Sequence, residues 1–283
     1  MIIDTHAHYD DEAFDEDREQ LLASLGDHNI GLVLDVGSTK ESLPKIRELI
    51  SKYDLLYGAI GLHPDEIGDL TPELLQQMRQ DMENPKVVAV GEIGLDYYWN
   101  KEAKELQKEA FRQQIRLAQE FGKPVVIHSR EAAADTLEIV QEMYGKGSPW
   151  ETLYGAATSA PKSSGQANSA DRKTVRKGVM HCYSYSVEHA RIYTRELGFY
   201  LGIGGVVTFK NAKKLREVVA DTPFEYLLLE TDCPYLAPVP YRGKRNNSLY
   251  LPYVVQAIAE IKGVAPEEVE RVTEENARRL FGF

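Results

Sequence analysis

Eight short apolar runs recur along this chain, each followed by a stretch of helical length, and that alternation limits the folds open to it. The runs cover 2–5, 32–36, 56–60, 87–90, 124–127, 178–180, 200–203 and 226–229. Most are continuous rather than alternating, the pattern of parallel strands covered on both faces. Residues 15–27, 42–51, 71–82, 101–121, 131–144, 186–197 and 211–220 read as the intervening helices, and 251–261 and 265–280 follow the last strand. Thr71-Pro72 supplies a cap and a proline suited to the first helical position. Gly122, with Pro124 beyond it, stops the longest helix. Eight such repeats predict a (β/α)8 barrel of the TIM type, with a doubly wound open sheet as runner-up. The 283 residues sit near the roughly 250 that such a barrel takes, so a single barrel domain over 1–283 is expected.

One stretch breaks the alternation. Residues 145–177 are rich in Gly, Ser, Ala and Pro and show no period, which reads as a loop inserted before the sixth strand. Its second half carries Lys162, Arg172, Lys173, Arg176 and Lys177 against Asp171 alone. A surface excursion is the plainer reading; a basic flap over an anionic polymer is the alternative.

Composition excludes several classes. No apolar run approaches the roughly 18 residues of a membrane span, and the N-terminus has no basic, then apolar, leader. Cys182 and Cys233 make no disulfide framework. A cytoplasmic protein is expected, either monomeric or weakly oligomeric. The net charge of −11 argues against a broad electrostatic coat of nucleic acid but not against a nuclease, because bound cations and basic loops act locally.

The residues after the runs carry the chemistry. The first run leads into His6-Ala7-His8, and residues i and i+2 of a strand point the same way. The third leads into Gly61-Leu62-His63-Pro64, the fourth into Gly91-Glu92-Ile93-Gly94-Leu95-Asp96, and the fifth into His128-Ser129-Arg130. The sixth leads into His181-Cys182-Tyr183-Ser184 and the eighth into Glu230-Thr231-Asp232-Cys233-Pro234. In a barrel these ends surround one mouth, where the active sites of this architecture lie. Each residue alone has a structural reading: a core histidine, a helix cap, a loop brace. Their shared position favours a metal centre. Four histidines and two carboxylates exceed what one tetrahedral ion needs. They suit two divalent ions bridged by a carboxylate. Glu92 is the natural bridge, His6, His8 and Asp232 hold one ion, and His128 and His181 hold the other. His63 is left over as a phosphate donor or proton carrier. The donor types suit Zn, Mn, Fe, Co or Ni, with Mg as a further candidate.

These motifs, with Asp4-Thr5 before His6 and Tyr235-Leu236 after Pro234, resemble those of TatD-family metal-dependent deoxyribonucleases in the amidohydrolase-like barrel superfamily. They run in family order along essentially the whole chain. The resemblance implies ligands at His6, His8, Glu92, His128, His181 and Asp232. It also implies phosphodiester hydrolysis in DNA, 3′→5′ on single strands, through a metal-activated water. Asp232 and Glu92, with His63, are the expected catalytic groups. His63, Arg130 and Arg242 are the expected phosphate contacts, Arg130 because its planar fork matches phosphate oxygens. The long 145–177 connection departs from the family pattern and leaves substrate preference and mouth geometry open. Two rivals remain: a hydrolase of a small ester, lactone or amide on the same scaffold, and a barrel that binds without catalysing.

Overall fold

The computed structural model describes residues 1–154 and 176–283. Its strands are β1 (Ile2–Ala7), β2 (Ile30–Val36), β3 (Leu56–Ala59), β4 (Val87–Asp96), β5 (Val125–Arg130), β6 (Gly178–Met180), β7 (Tyr200–Ile203) and β8 (Leu227–Leu229). They pair in parallel in chain order. A parallel bridge between Ala7 and Cys233 brings the last strand back to the first. This is the (β/α)8 barrel that the alternating runs predict. The principal helices are α1 (Arg18–Ser24), α2 (Ser42–Lys52), α3 (Pro72–Asp81), α4 (Lys104–Phe121), α5 (Ala133–Tyr144), α6 (Pro149–Tyr154), α7 (Val187–Arg191), α8 (Lys213–Asp221), α9 (Leu251–Lys262) and α10 (Pro266–Phe281). None of the described helices is long and apolar enough to cross a membrane. Cys182 and Cys233 are free thiols.

Strand alternation divides the core. Ile2, Val33, Leu56, Val87, Val125 and Leu227 pack outward in one cluster with helix residues such as Ile46, Phe111 and Ile258. Ile3, Leu34, Val88, Val126, Val179 and Leu228 form a second cluster that also takes in Leu280 and Phe281. The end of α10 therefore plugs the barrel on the side away from the mouth.

Several boundaries differ from the sequence expectation. β4 runs six residues past 90, because Gly91 and Gly94 resemble a stop signal but the strand keeps its partner through Asp96↔Arg130. The expected helix 15–27 shortens to α1 and a 3-10 turn at Gly26–His28, which Asn29 ends in the left-handed region at φ 63°. The helix expected over 186–197 changes after α7 into a π turn, Ile192–Glu196, where Thr194 Oγ1 donates to the carbonyl of Ala190. The aperiodic segment 145–177 begins with α6, which sequence periodicity misses. Trp150 is buried there, and Tyr154 donates to the carbonyl of Gln119 over 2.7 Å.

The segment's two anchors matter for function. It leaves after α5 and returns before β6, at the barrel end opposite the mouth. Lys177 Nζ donates to Tyr144 O over 3.2 Å, and Arg176 Nη1 to Phe281 O over 3.0 Å. These two cations are thus tied to the base of the barrel. Lys162, Arg172 and Lys173 lie outside the described residues.

Asp4 locks the seam. Its carboxylate accepts from Thr231 Oγ1 (2.7 Å), Thr231 N (3.0 Å), Ser248 Oγ (2.6 Å) and His6 N (3.3 Å). Burial pushes its pKa up to about 7 despite these four donors. A folded value above the unfolded one means that this group's contribution is full below the unfolded pKa and fades as pH rises through 7. Asp4→Asn should cost about 1–3 kcal/mol of stability. Urea unfolding should show a smaller cost at pH 8 than at pH 5, since the variant lacks the ionisation that weakens the parent.

Candidate metal centre

His6 and His8 converge, though not through strand period alone. The β1–β2 register slips between Asp4 and Ala7, so that β1 carries an extra residue around His6. β1 ends at Ala7, before His8. His8 is placed instead by its N–H on Cys233 O (2.9 Å) and its Nδ1 against Val36 O (2.8 Å). A carbonyl only accepts, so Nδ1 carries a hydrogen and Nε2 is the nitrogen left to face a cation. That nitrogen lies 3.1 Å from His6 Nε2. A second register slip, between Val90 and Ile93, flanks Glu92 in the same way.

Four atoms form a compact group. His6 Nε2 is 3.6 Å from Glu92 Oε2 and 3.8 Å from Asp232 Oδ1; His8 Nε2 is 4.0 Å and 3.5 Å from the same two oxygens. A tetrahedral ion with bonds of roughly 2.0–2.1 Å would separate its ligands by ~3.3 Å. With the 3.1 Å imidazole pair, these separations bracket that figure, and the donor set fits a divalent transition metal. The other carboxylate oxygen faces a second pair: Glu92 Oε1 is 2.8 Å from His128 Nδ1 and 3.8 Å from His181 Nε2. His181 also reaches Asp232 Oδ1 at 3.6 Å, and its ring stacks on His6 at 3.5 Å between centroids. His181 therefore stands between both groups rather than with His128 alone.

A further layer orients the imidazoles; the sequence reads Asp96 only as a brace for its loop, which it also is, since Tyr98 N and Trp99 N donate to its Oδ1, and assigns Glu230 no role. Asp96 Oδ2 is 3.0 Å from His128 Nε2, and Glu230 Oε1 is 3.2 Å from His181 Nδ1. Carboxylates behind imidazoles fix ring orientation and raise ligand basicity. Glu230 is buried and also accepts from Cys182 N over 2.6 Å. Gly202 makes its position possible, because a Cβ there would stand 1.9 Å from Glu230 Oε2. The signals were present: Glu230 and Asp232 share one strand-end motif, and Asp96 ends a strand. Asp35, an acid within the apolar run of β2, is buried and accepts from Tyr9 N over 2.7 Å, bracing the loop that holds His8.

Protonation follows from this crowding. Burial lowers His8's pKa, but hydrogen bonding to Asp232 and the charges of Asp232 and Glu92 outweigh it and take it to about 10. His128 and His181 reach about 9 for the same kind of reason, against burial. Burial holds His6 below its ordinary value. Burial would raise Glu92 and Asp232, yet the surrounding imidazoles hold both below the usual carboxylate range. Burial takes His63 down to about 4.

The cluster floors an open cavity of about 730 Å³ at the C-terminal strand ends. His8, His63, Glu92, His128, Arg130, His181 and Asp232 line it, while His6 lies buried beneath. Arg130 sits 4.0 Å over Tyr98 and 5.6 Å over Trp99. It makes no ion pair with Glu131 among the described residues; Glu131 faces Lys101 at 3.8 Å. Arg242 does not line this cavity. Its guanidinium lies 4.4 Å over Phe209, because the loop after β8 folds back with Tyr241 stacked on Tyr250. His28 and His189 are remote from the cluster in the fold, one in a 3-10 turn and the other in α7.

A barrel with this donor set at its mouth defines a metal-dependent hydrolase. Residues 3–282 match the family described as TatD related DNase. The chain is 41% identical over 281 residues to the uncharacterized metal-dependent hydrolase YabD of Bacillus subtilis, covering 99% of each chain. It is 35% identical over 284 residues to YcfH of Escherichia coli, described in the same words, covering 99% of this chain and 96% of the relative. Among solved structures, the TatD homologue YJJV of E. coli superposes with a TM-score of 0.83 at 28% identity, covering 100% of this chain and 98% of that one. The chain belongs to the TatD family of metal-dependent hydrolases.

Since His8, His128 and His181 hold protons at neutral pH in the ion-free chain, a cation must displace them. Calorimetric titration with Mn²⁺ should show tighter binding at pH 8 than at pH 6. The apparent enthalpy should vary with the buffer's ionisation enthalpy, reporting proton release.

Proposed function

We propose that this chain hydrolyses phosphodiester bonds in DNA, as a 3′→5′ exonuclease on unpaired strands, with two divalent ions held by the donor cluster. The observation that carries the reading is a cation-sized donor group on the floor of an open cavity whose rim is aromatic and cationic. Trp99, 66% exposed, and Tyr98 flank Arg130 on one side; Tyr235, 57% exposed, stands on another. The DNase description of the family supports it.

His6, His8, Glu92 Oε2 and Asp232 Oδ1 would hold one ion; Glu92 Oε1, His128 and His181 would hold the other. When bound, such ions polarise a phosphoryl oxygen and lower the pKa of water. Asp232 is ionised, and its side chain stays 18% exposed, so it orients the attacking water and takes its proton. Glu92 keeps the two donor groups in register through one carboxylate. His63 Nδ1 accepts from Asp65 N over 3.3 Å. Its hydrogen therefore sits on Nε2, where a neutral imidazole donates to a phosphate oxygen without needing charge. Arg130's guanidinium carbon lies 4.0 Å over the Tyr98 ring, and its planar fork suits phosphate oxygens. Unpaired bases stack on Trp99, whereas paired ones keep their faces covered.

A single strand labelled at its 5′ end, incubated with Mn²⁺ or Mg²⁺, should shorten stepwise from the 3′ end and stay intact in chelator. Asp232→Asn should lower kcat by about 100-fold or more. Turnover of a simple lactone, amide or small phosphoester with DNA left intact would sink the reading in favour of another hydrolase. Trp99→Ala should raise KM for the strand about 5- to 30-fold, the equivalent of about 1–2 kcal/mol of base stacking, with kcat little changed.

A further inference from the structure

Two loops beside the mouth carry charge opposite to that of the chain. Residues 204–216, from the end of β7 into α8, contain four cations and no carboxylate; residues 233–250, after β8, contain three cations and none. The chain as a whole has a net charge of −11. The loops form one surface. Val239 N donates to Thr208 Oγ1 over 2.9 Å, and Arg242 covers Phe209.

Some of these cations serve the fold. Arg245 pairs with Asp17 and donates to Ala13 O over 2.6 Å, Arg216 reaches Val207 O at 3.4 Å, and Lys213 faces Glu217 at 3.9 Å. Lys210, Lys214, Arg242 and Lys244 are exposed and form no ion pair among the described residues. Their placement also works against local electrostatics. The first turn of α8 holds Lys213 and Lys214 and no acid, although the positive end of a helix dipole favours carboxylates there. α10, by contrast, opens with Glu267 and Glu268. Lys213 has Glu217 as counter-charge, but Lys214 has none among the described residues, and a local preference broken in that way points to a partner outside the chain.

The surface also connects with the catalytic cavity. A smaller cavity of about 190 Å³ lies at the ends of β6 and β7; Cys182 and Ser184 belong to the walls of both, and Lys214 lines the smaller one. Val206, Ala212 and Leu215 make it otherwise apolar, suited to the flat face of a base. On the β1 side of the mouth, Asp10 and Asp11 line the wall and would repel a polyanion.

We propose that this surface is the path of the nucleic-acid strand beyond the scissile phosphate. The backbone passes Lys214 and Lys210 toward Arg242 and Lys244, and the neighbouring base rests in the smaller cavity. The path rests on the nuclease reading and adds a direction to it. Charge complementarity supplies attraction at these residues even though the whole protein is acidic.

The test compares the full chain with a Lys210→Gln, Lys214→Gln double variant, on a single-stranded dodecanucleotide and on a dinucleotide, with Mn²⁺ present. The ratio of kcat/KM, dodecanucleotide over dinucleotide, should fall about tenfold. Binding of the dodecanucleotide, measured on the Asp232→Asn background so that the strand stays intact, should lose about 1.4 from its log–log salt slope, ~0.7 per phosphate contact. An unchanged ratio and slope, while the parent cuts the dodecanucleotide, would overturn the path and leave the nuclease reading standing. A parent chain that neither binds nor cuts it would overturn both.

Discussion

The buried carboxylate of Asp4 joins the beginning of the barrel to its end. It takes hydrogen bonds from Thr231 just beyond β8 and from Ser248 before α9, and also accepts from His6 N. A (β/α)8 sheet has to close on itself, and here the closing contact falls within two residues of two of the candidate donors, His6 and Asp232. His6 and His8 leave one side of the seam, and Asp232 leaves the other. The backbone repeats the constraint, since Asp232 N donates to His6 O over 2.9 Å. The seam that completes the fold thus also sets the distance between imidazoles and carboxylate.

Around that seam, charge is concentrated where water is scarce. Two carboxylates and four imidazoles lie within a few bonds' reach, with Asp96 and Glu230 behind them. In the ion-free chain protons take the place of a cation, which is why three imidazoles are held protonated and both central carboxylates ionised. Such a cluster is costly to bury as bare charge. Binding a divalent ion removes the protons and relieves the crowding in one step. The arrangement is therefore more stable with an ion than its apolar surroundings would otherwise allow.

The barrel was legible because its strands are apolar enough to stand out from amphipathic helices, and the candidate donors because each follows a strand at the same end. β4 shows where the reading fell short. Gly91 and Gly94 look like punctuation, yet Gly94 lets the chain pass the backbone of His128, where a Cβ would come within 1.9 Å of its carbonyl oxygen. The strand continues for that reason. α6 was hidden because six residues are too few for periodicity to register. The roles of Glu230 and Asp96 depend on which imidazole each one meets from another strand, a relation between separate parts of the chain. The cations of the β7 loop were overlooked for the same reason, because their neighbours on the surface come from the loop after β8.

The attachment of the long connection to the base carries a consequence for tolerance to change. Tyr154 and Arg176 bound the segment between α6 and β6, and both ends are tied to groups beneath the barrel: Tyr154 to Gln119 O, Arg176 to Phe281 O. Both fastenings therefore stand at the pole opposite the candidate donors. The connection's entry and exit lie at one pole and the chemistry at the other, so a reporter sequence joined at either fastening would start on the side away from the mouth.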